Sequence, residues 1–280
     1  MATRAKAKAG PAAPLAILGG GNMGVSIARG LVAAGNYLPG DIILTRRQPQ
    51  LLERLAREGF VVQKDNRDAV RKARVVILAV RPQQLTDLLR EISGAVSPAR
   101  HLVISIVTGV SADEVVHALK KPVRVVRAMP NIAVETCESM TCIASSRVPA
   151  QSLVEARALF DALGSTLMID EELMVPATAL CACGIAFFLR SIRAASQGGI
   201  QIGFHSDDAL VMAAQTARGA ASLLLSARSH PEGEIDKVTT PSGCTIAGLN
   251  EMEHHGFSSA MIMGIVTAAH QAEKLFEKRT

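Results

Sequence analysis

The fold is decided by the stretch LAILGGGNMG, which covers residues 15–24. Its first four residues are continuously apolar, as expected of a strand that is buried on both faces. A G-x-G-x-x-G pattern follows at once, and a helical pattern over residues 25–34 then ends at Gly35. Strand, glycine-rich turn and helix in this order predict a dinucleotide-binding unit with the pyrophosphate at the helix N-terminus. The predicted cofactor ligands in this turn are Gly19, Gly21, Asn22, Met23 and Gly24.

Further apolar runs alternate with helical patterns and predict a doubly wound parallel sheet. The predicted strands are residues 41–45, 60–62, 75–80, 102–107, 123–128 and 166–169. Ligands of such sheets collect at the carboxyl ends of the strands, so we expect one crevice there. The residues predicted to line it for the cofactor, besides the glycine turn, are Ala79, Val80, Arg81, Pro82, Met129, Pro130 and Asn131.

The end of the second predicted strand indicates which nicotinamide cofactor is preferred. An NAD site usually has an acidic residue there, which binds the ribose hydroxyls. This chain has Thr45, Arg46 and Arg47 instead. A hydroxyl and two guanidinium groups suit the 2′-phosphate of NADP, because arginine binds phosphate bidentately. We therefore expect NADP(H) as the preferred cofactor, with NAD(H) as the alternative.

The second half of the chain has a different character. Residues 173–227 follow a helical pattern with only five charged residues. Helices that are apolar nearly all round must be buried on nearly all sides, which predicts an extensive homodimer interface. The expected division is a disordered basic tail (1–13), an NAD(P)-binding domain (14–170) and a helical dimerisation and substrate domain (171–280). The predicted fold class is therefore α/β followed by all-α.

Composition excludes several classes of function. The formal charge is only +5, and the chain has no Trp and one Tyr, so the stacking surface of a nucleic-acid binder is missing. The apolar, uncharged run over residues 173–189 contains Pro176 and Gly184, and we interpret it as soluble core rather than a membrane span. Five cysteines without a C-x-x-C pair and seven histidines without ligand spacing predict no metal site and a cytoplasmic protein.

Residues 236–249, DKVTTPSGCTIAGL, predict a second anion site. Pro241 restricts the backbone, and Ser242 with Gly243 permits a tight turn. Thr245 then takes an N-cap or first-turn position before a helical run over residues 246–253. The start of a helix presents unpaired N–H groups and the positive end of the dipole, which suit a carboxylate or a phosphate.

From residue 15 to residue 275 the chain resembles the pyrroline-5-carboxylate reductase family. The resemblance rests on the glycine turn, on residues 79–83, 105–109 and 127–131, and above all on residues 236–249. It implies a Rossmann domain followed by an all-helical dimerisation domain, which in some members assembles further into decamers. It also implies the NAD(P)H-dependent reduction of a cyclic imine, 1-pyrroline-5-carboxylate, to L-proline.

The resemblance further implies roles for single residues. The substrate carboxylate is expected at the backbone N–H groups of the 240–245 turn, and the nicotinamide near residues 129–131. The hydroxyl of Thr245 is expected to hydrogen-bond the ring nitrogen, so Thr245 is the implied catalytic residue. The implied substrate-binding residues are Thr178, Thr240, Ser242, Gly243, Cys244 and Thr245.

The chain departs from the family pattern in the helix that contains Thr178. Cys181, Ala182 and Cys183 stand where the family has Ser-Gly-Ser, and the proline that follows in the family is Ile185 here. Without that proline we expect a straighter helix. Two alternative functions remain: a reductase of another small cyclic imine or oxo acid on the same fold, and a nucleotide-binding dimer without turnover.

Overall fold

The computed structural model describes residues 14–145 and 148–277, so the predicted tail (1–13) lies outside the described residues. The chain divides into two compact units. The first contains the described residues up to Ala182 together with those from Ala269 onward, and the second contains Cys183–Ala268.

The first unit is built on an eight-stranded sheet with the strand order β3-β2-β1-β4-β5-β6-β7-β8. Neighbouring strands are parallel except β6 and β7, which are antiparallel. The strands are β1 (Leu15–Leu18), β2 (Ile42–Thr45), β3 (Val61–Gln63), β4 (Val75–Leu78), β5 (Leu102–Ser105), β6 (Arg124–Met129), β7 (Ser139–Ala144) and β8 (Gly164–Met168). The predicted class, an N-terminal Rossmann-type sheet followed by helices, is confirmed.

Helices cover both faces of this sheet. Along β1, Leu15 and Ile17 pack into one apolar cluster, whereas Ala16 and Leu18 pack into the other. The helices between β1 and β8 are α1 (Asn22–Ala33), α2 (Glu53–Arg57), α3 (Asn66–Lys72), α4 (Pro82–Ile92), α5 (Ala112–Leu119) and α6 (Ala150–Asp161). Burial on both faces explains why β1, β2, β4 and β5 are buried at every position.

Strand β7 was not predicted, and the sheet is therefore not wholly parallel. A short 3₁₀ turn, Ile132–Thr136, connects β6 to β7. A parallel return needs a crossover of about a dozen residues or more, so this short connection leads back antiparallel beside β6. The segment after β2 begins as a 3₁₀ turn, Pro49–Leu52, and continues as a short α-helix, Glu53–Arg57.

The remaining helices make up the helical half of the chain. They are α7 (Met174–Ala177), α8 (Gly184–Gln201), α9 (Ser206–Ala227), α10 (Pro231–Val238), α11 (Cys244–His254) and α12 (Phe257–Glu277), with a π-helical segment, Thr178–Cys183, between α7 and α8. Helices α8 and α9 form a tight hairpin, in which a Cβ added at Gly199 would lie 3.0 Å from the Cβ of Ala209. In the single chain this half exposes large apolar side chains, such as Phe188 (59%) and Leu225 (80%).

His101 lies between α4 and β5 and is held as a neutral ring. The N–H of Ser97 donates to its Nδ1 at 2.8 Å, so the ring proton is on Nε2, which donates to the carbonyl of Val70 at 3.1 Å. The residue is 1% exposed, and burial lowers the pKa of His101 from its ordinary value.

This burial predicts a loss of stability in mild acid. Below the ordinary histidine pKa of about 6.5, the unfolded chain takes up a proton that folded His101 does not. The free energy of unfolding therefore decreases as the pH is lowered. The contribution is at most about 1.4 kcal/mol per pH unit. His101→Asn should be less stable than wild type at pH 8 but lose less stability on acidification. Urea titrations at several pH values and one protein concentration measure this, and parallel pH profiles would contradict it.

Candidate active site

The glycine turn is fixed between three strands. The N–H groups of Gly19 and Gly20 both donate to the carbonyl of Thr45, at 3.2 and 2.7 Å. Gly19 has a φ of +121°, and a Cβ there would lie 2.3 Å from the carbonyl oxygen of Ala79. A Cβ at Gly24 would lie 2.2 Å from the carbonyl oxygen of Gly19. These two positions therefore accept only glycine, because the chain itself fills the space.

Gly21 is different, because its missing side chain faces open space. A Cβ added at Gly21 would have nothing within 4 Å. Gly21 is the N-cap of α1, and neither a side-chain cap nor an acidic residue occupies the first turn. The first bond into the helix runs from Val25 N–H to the Gly21 carbonyl, so the N–H groups of Asn22, Met23 and Gly24 have no acceptor among the described residues. An uncapped helix start with free space before it fits a pyrophosphate.

The end of β2 places two arginines beside this turn. Thr45 itself is only 2% exposed, and its carbonyl holds the glycine turn. Arg46 is half-buried and its Nη1 donates to the carbonyl of Gly20 at 2.7 Å, whereas Arg47 is exposed. Three residues were predicted to bind a 2′-phosphate. Thr45 is buried, Arg46 is half-buried and Arg47 is exposed.

The ends of the next strands lie along the same edge of the sheet. Ala79 and Val80 leave β4 half-buried, and the N–H of Ala79 donates to the carbonyl of Leu18 at 2.9 Å. Arg81 is the exposed N-cap of α4, and Pro82 is its first residue. The carboxyl ends of the parallel strands β1, β4 and β5 therefore lie along one edge of the sheet, where ligands of such sheets collect.

Asn131, at the end of β6, has a structural function that the sequence did not reveal. Its N–H donates to Ser139 Oγ at 3.2 Å, and its Oδ1 accepts from the N–H of Ala133 at 3.0 Å. Its Nδ2 donates to the carbonyl of Cys181 at 3.2 Å. Asn131 thus joins the β6 end, which was predicted to face the nicotinamide, to the π-helical segment.

The expectation of a straighter helix around Thr178 is wrong. Thr178–Cys183 is a π-helix, an i→i+5 winding that widens the helix locally and is common at functional sites. Within this segment, the Cys181 carbonyl accepts from Asn131 Nδ2 at 3.2 Å. Thr178 is buried, and its hydroxyl donates to the carbonyl of Met174 at 2.8 Å.

The second unit contains the predicted anion loop. The N–H of Gly243 donates to the carbonyl of Thr240 at 2.9 Å, which closes a tight turn over residues 240–243. Ser242 has a left-handed φ of +56°, an uncommon conformation for a residue with a side chain. A Cβ at Gly243 would lie 2.5 Å from Thr240 Oγ1, so a side chain there would displace this hydroxyl.

Helix α11 starts directly after this turn with an uncapped first turn. Gly243 is the N-cap, and Thr245 is the second helical residue, within the first turn as expected. The first bond into the helix runs from Ala247 N–H to the Gly243 carbonyl, so the N–H groups of Cys244, Thr245 and Ile246 have no acceptor among the described residues. The first turn also has no acidic residue.

The threonines of the candidate site differ in what their hydroxyl groups bind. The hydroxyl of Thr239 donates to the carbonyl of Ile235 at 2.8 Å. Within residues 14–145 and 148–277, the hydroxyls of Thr240 and Thr245 make no hydrogen bond. Exposed Thr240 and half-buried Thr245 can therefore donate to a ligand without breaking a bond of the protein. The same described ranges contain no group of three or more His, Cys, Asp and Glu that could hold a metal ion.

In a comparison with known proteins, each half of the chain matches a described family. Residues 171–275 match the family described as pyrroline-5-carboxylate reductase dimerisation, which indicates a homo-oligomer. Residues 14–109 match the family described as NADP oxidoreductase, coenzyme F420-dependent. Among solved structures, pyrroline-5-carboxylate reductase from Coxiella burnetii is 28% identical with a TM-score of 0.83, over 94% of this chain and 98% of that one. A Plasmodium falciparum pyrroline carboxylate reductase with NADP bound shares the fold, with a TM-score of 0.85 at 20% identity and the same coverage.

Two relatives from Dictyostelium discoideum are closer in sequence. Pyrroline-5-carboxylate reductase 1 is 51% identical over 95% of this chain, which spans 50% of that protein's length. Pyrroline-5-carboxylate reductase 2 is 49% identical over 93% of this chain and 92% of its own length. The chain therefore belongs to the pyrroline-5-carboxylate reductase family.

Proposed function

We propose that the chain is an NADPH-dependent pyrroline-5-carboxylate reductase, which reduces 1-pyrroline-5-carboxylate to L-proline, the last step of proline synthesis. The observation that carries the proposal is the turn over residues 240–245. There, three helix N–H groups and two threonine hydroxyls have no acceptor among the described residues. A cyclic amino-acid carboxylate with an adjacent ring nitrogen matches this set of donors.

The cofactor is held by the first unit. The N–H groups of Asn22, Met23 and Gly24 bind the pyrophosphate, and the open space at Gly21 lets it approach the backbone. Arg46 and Arg47 bind the 2′-phosphate. When bound, NADPH supplies the hydride that reduces the carbon of the C=N bond.

The substrate is held by the second unit. The N–H groups of Cys244 and Thr245 and the hydroxyl of Thr240 bind the carboxylate, which the positive end of the α11 dipole also favours. The hydroxyl of Thr245 is left to hydrogen-bond the ring nitrogen and to fix the orientation of the ring. A protonated cyclic imine is already electrophilic, so positioning contributes more than a dedicated general acid.

The proposed assembly is a homodimer formed through the helical half. By length and composition alone, Glu171–Gln201 could cross a membrane, and 28% of its apolar window is buried in the single chain. The family relationship indicates a soluble protein, so we assign this apolar surface to a second copy of the chain. A cytoplasmic location fits the Cys142–Cys181 pair, whose sulfur atoms lie 3.9 Å apart and are not bonded to each other.

The proposal is tested by following NADPH oxidation with a panel of substrates. We expect turnover with 1-pyrroline-5-carboxylate and formation of L-proline. Preferential turnover of another cyclic imine or of an oxo acid would favour the alternative reductase. Tight NADPH binding without turnover of any substrate would favour a non-catalytic dimer.

Loss of the arginine pair should change the cofactor preference. We expect the double variant Arg46→Ala, Arg47→Ala to lower kcat/KM for NADPH by about 10- to 100-fold, the effect of losing charge-assisted bonds to a phosphate. NADH lacks that phosphate, so its kcat/KM should stay within about threefold. Arg57→Ala is the matched control, because this exposed α2 arginine pairs with Glu53 at 3.4 Å. An unchanged ratio between NADPH and NADH in the double variant would contradict the assignment.

A further inference from the structure

Two cysteines of the first unit are in contact next to the end of β6. The Sγ of Cys142, on β7, lies 3.9 Å from the Sγ of Cys181, in the π-helical segment. Cys142 is 3% exposed and packs in an apolar cluster with Met129 and Met174, whereas Cys181 is half-buried at the edge of that cluster. One thiol of the pair is therefore accessible to a small reagent, and the other lies directly beneath it.

We propose that Cys142 and Cys181 are a site of reversible oxidation, at which hydrogen peroxide converts the two thiols to an intrachain disulfide. The two sulfur atoms are already in van der Waals contact, and a bond of about 2.05 Å requires them to close by roughly 2 Å. The Cys181 carbonyl accepts from Asn131 Nδ2, which holds the peptide beside the thiol next to the end of β6 before the disulfide forms.

The environment of the pair decides which thiol reacts first. Either thiol can donate the S–H···S hydrogen bond between them; with the more buried Cys142 as the donor, this bond lowers the pKa of the Cys181 thiol. The same hydrogen bond, together with burial, raises the pKa of Cys142. Cys181 is therefore the thiol of the pair that ionises more readily, and it is also the more exposed of the two.

The chemistry is balanced with peroxide as the oxidant. The Cys181 thiolate attacks one peroxide oxygen, the O–O bond breaks, and the departing hydroxide takes up the thiol proton to form water. The sulfur of Cys142 then attacks the Cys181 sulfenic acid; the S–O bond breaks, and the hydroxide leaves with the proton of Cys142 as a second water. Two thiols lose two electrons and two protons in all, and one peroxide becomes two waters.

The disulfide would lie next to residues of the proposed site. Cys142 is directly opposite Met129 in the β6–β7 pair, and Cys181 is in the same π-helical segment as Thr178. Drawing Cys181 toward β7 displaces this segment, and a shift of about 1 Å in an active site can cost about 100-fold in rate. The expectation for turnover rests on the proposed function: oxidised protein should lose at least tenfold in kcat, and dithiothreitol should restore it.

The test uses the reduced, full-length protein treated with hydrogen peroxide and then quenched with N-ethylmaleimide. We expect peptide mass spectrometry to find Cys142 linked to Cys181, and dithiothreitol to reverse the link. Cys183→Ser is the matched control in the same segment and should keep the link, whereas Cys142→Ser and Cys181→Ser should each remove it. Thermal unfolding of the reduced variants verifies that they are folded.

The outcomes separate this proposal from the proposed function. Absence of the linked peptide in wild type, a link through Cys183, or conversion of Cys181 to sulfinic acid while Cys142 stays a thiol would overturn the disulfide. Unchanged kcat in fully linked protein would overturn its effect on turnover. Failure of the reduced protein to turn over 1-pyrroline-5-carboxylate would contradict the proposed function, while the linked peptide would still support the oxidation site.

Discussion

Gly21→Val should weaken NADPH binding by about 100-fold, or about 2.8 kcal/mol, while the protein keeps its fold. A Cβ at this position meets no atom of the chain within 4 Å, and Gly21 has an extended backbone (φ −84°, ψ −173°) that a β-branched residue adopts easily. The cost therefore falls on the ligand, because the new side chain would occupy the space proposed for the pyrophosphate. Fluorescence titration with NADPH measures it, and the Tm should shift by no more than about 2 °C.

Gly24→Val provides the contrast. A side chain there would overlap the carbonyl oxygen of Gly19, 2.2 Å from the new Cβ, and crowd Ile17 Cγ2 at 3.1 Å. We expect it to lower the stability of the first unit by about 1–3 kcal/mol and to lose NADPH binding as a consequence. Normal NADPH binding by folded Gly21→Val would contradict the placement of the pyrophosphate at α1.

Thr245→Val should lower kcat with 1-pyrroline-5-carboxylate by about 100-fold, the typical cost of losing one aligned donor at a reacting group. Valine keeps the shape of threonine, and the Thr245 hydroxyl makes no bond within the described ranges, so the fold loses nothing. The affinity for NADPH should not change, because the proposed cofactor residues are all in the first unit. Steady-state kinetics and NADPH titration of the same preparation separate the two effects.

The neighbouring Thr239→Val is the matched control. Its hydroxyl donates to the carbonyl of Ile235, so it is used inside α10 and is not available to a ligand. We expect its kcat to stay within about threefold of wild type, since a hydrogen bond of about 1 kcal/mol is lost away from the substrate. Equal losses in both variants would mean that the turn was disturbed as a whole, and an active Thr245→Val would remove the role given to this hydroxyl.

The parts of the fold that the sequence predicts are those with a local cause. Strand β1 has the predicted bounds, Leu15–Leu18, because a continuous apolar run is followed by a glycine that takes a φ of +121°. The uncapped start of α11 is equally local, since Pro241 and Gly243 leave few other conformations for the turn. Both uncapped helix starts could therefore be expected from short stretches of residues.

The parts that the sequence does not predict depend on distant residues. Strand β7 is polar at Ser139 and Thr141, and it is defined by its pairing with β6 and β8. Its alternation over residues 139–144 was the available signal, and β-strand preferences of such short runs depend strongly on the neighbouring strands. The Cys142–Cys181 contact joins positions 39 residues apart. It arises from β7 and the π-helical segment together, neither of which has a clear pattern of its own.

Transfer of deuterium from NADPH to proline tests the proposed reaction itself. Wild-type protein would be incubated with 1-pyrroline-5-carboxylate and NADPH deuterated at both C4 positions, and the product analysed by mass spectrometry and NMR. We expect L-proline with a single deuterium at C5, formed at a rate that falls about 100-fold in Thr245→Val. Proline without deuterium, or no proline while the protein binds NADPH, would contradict it.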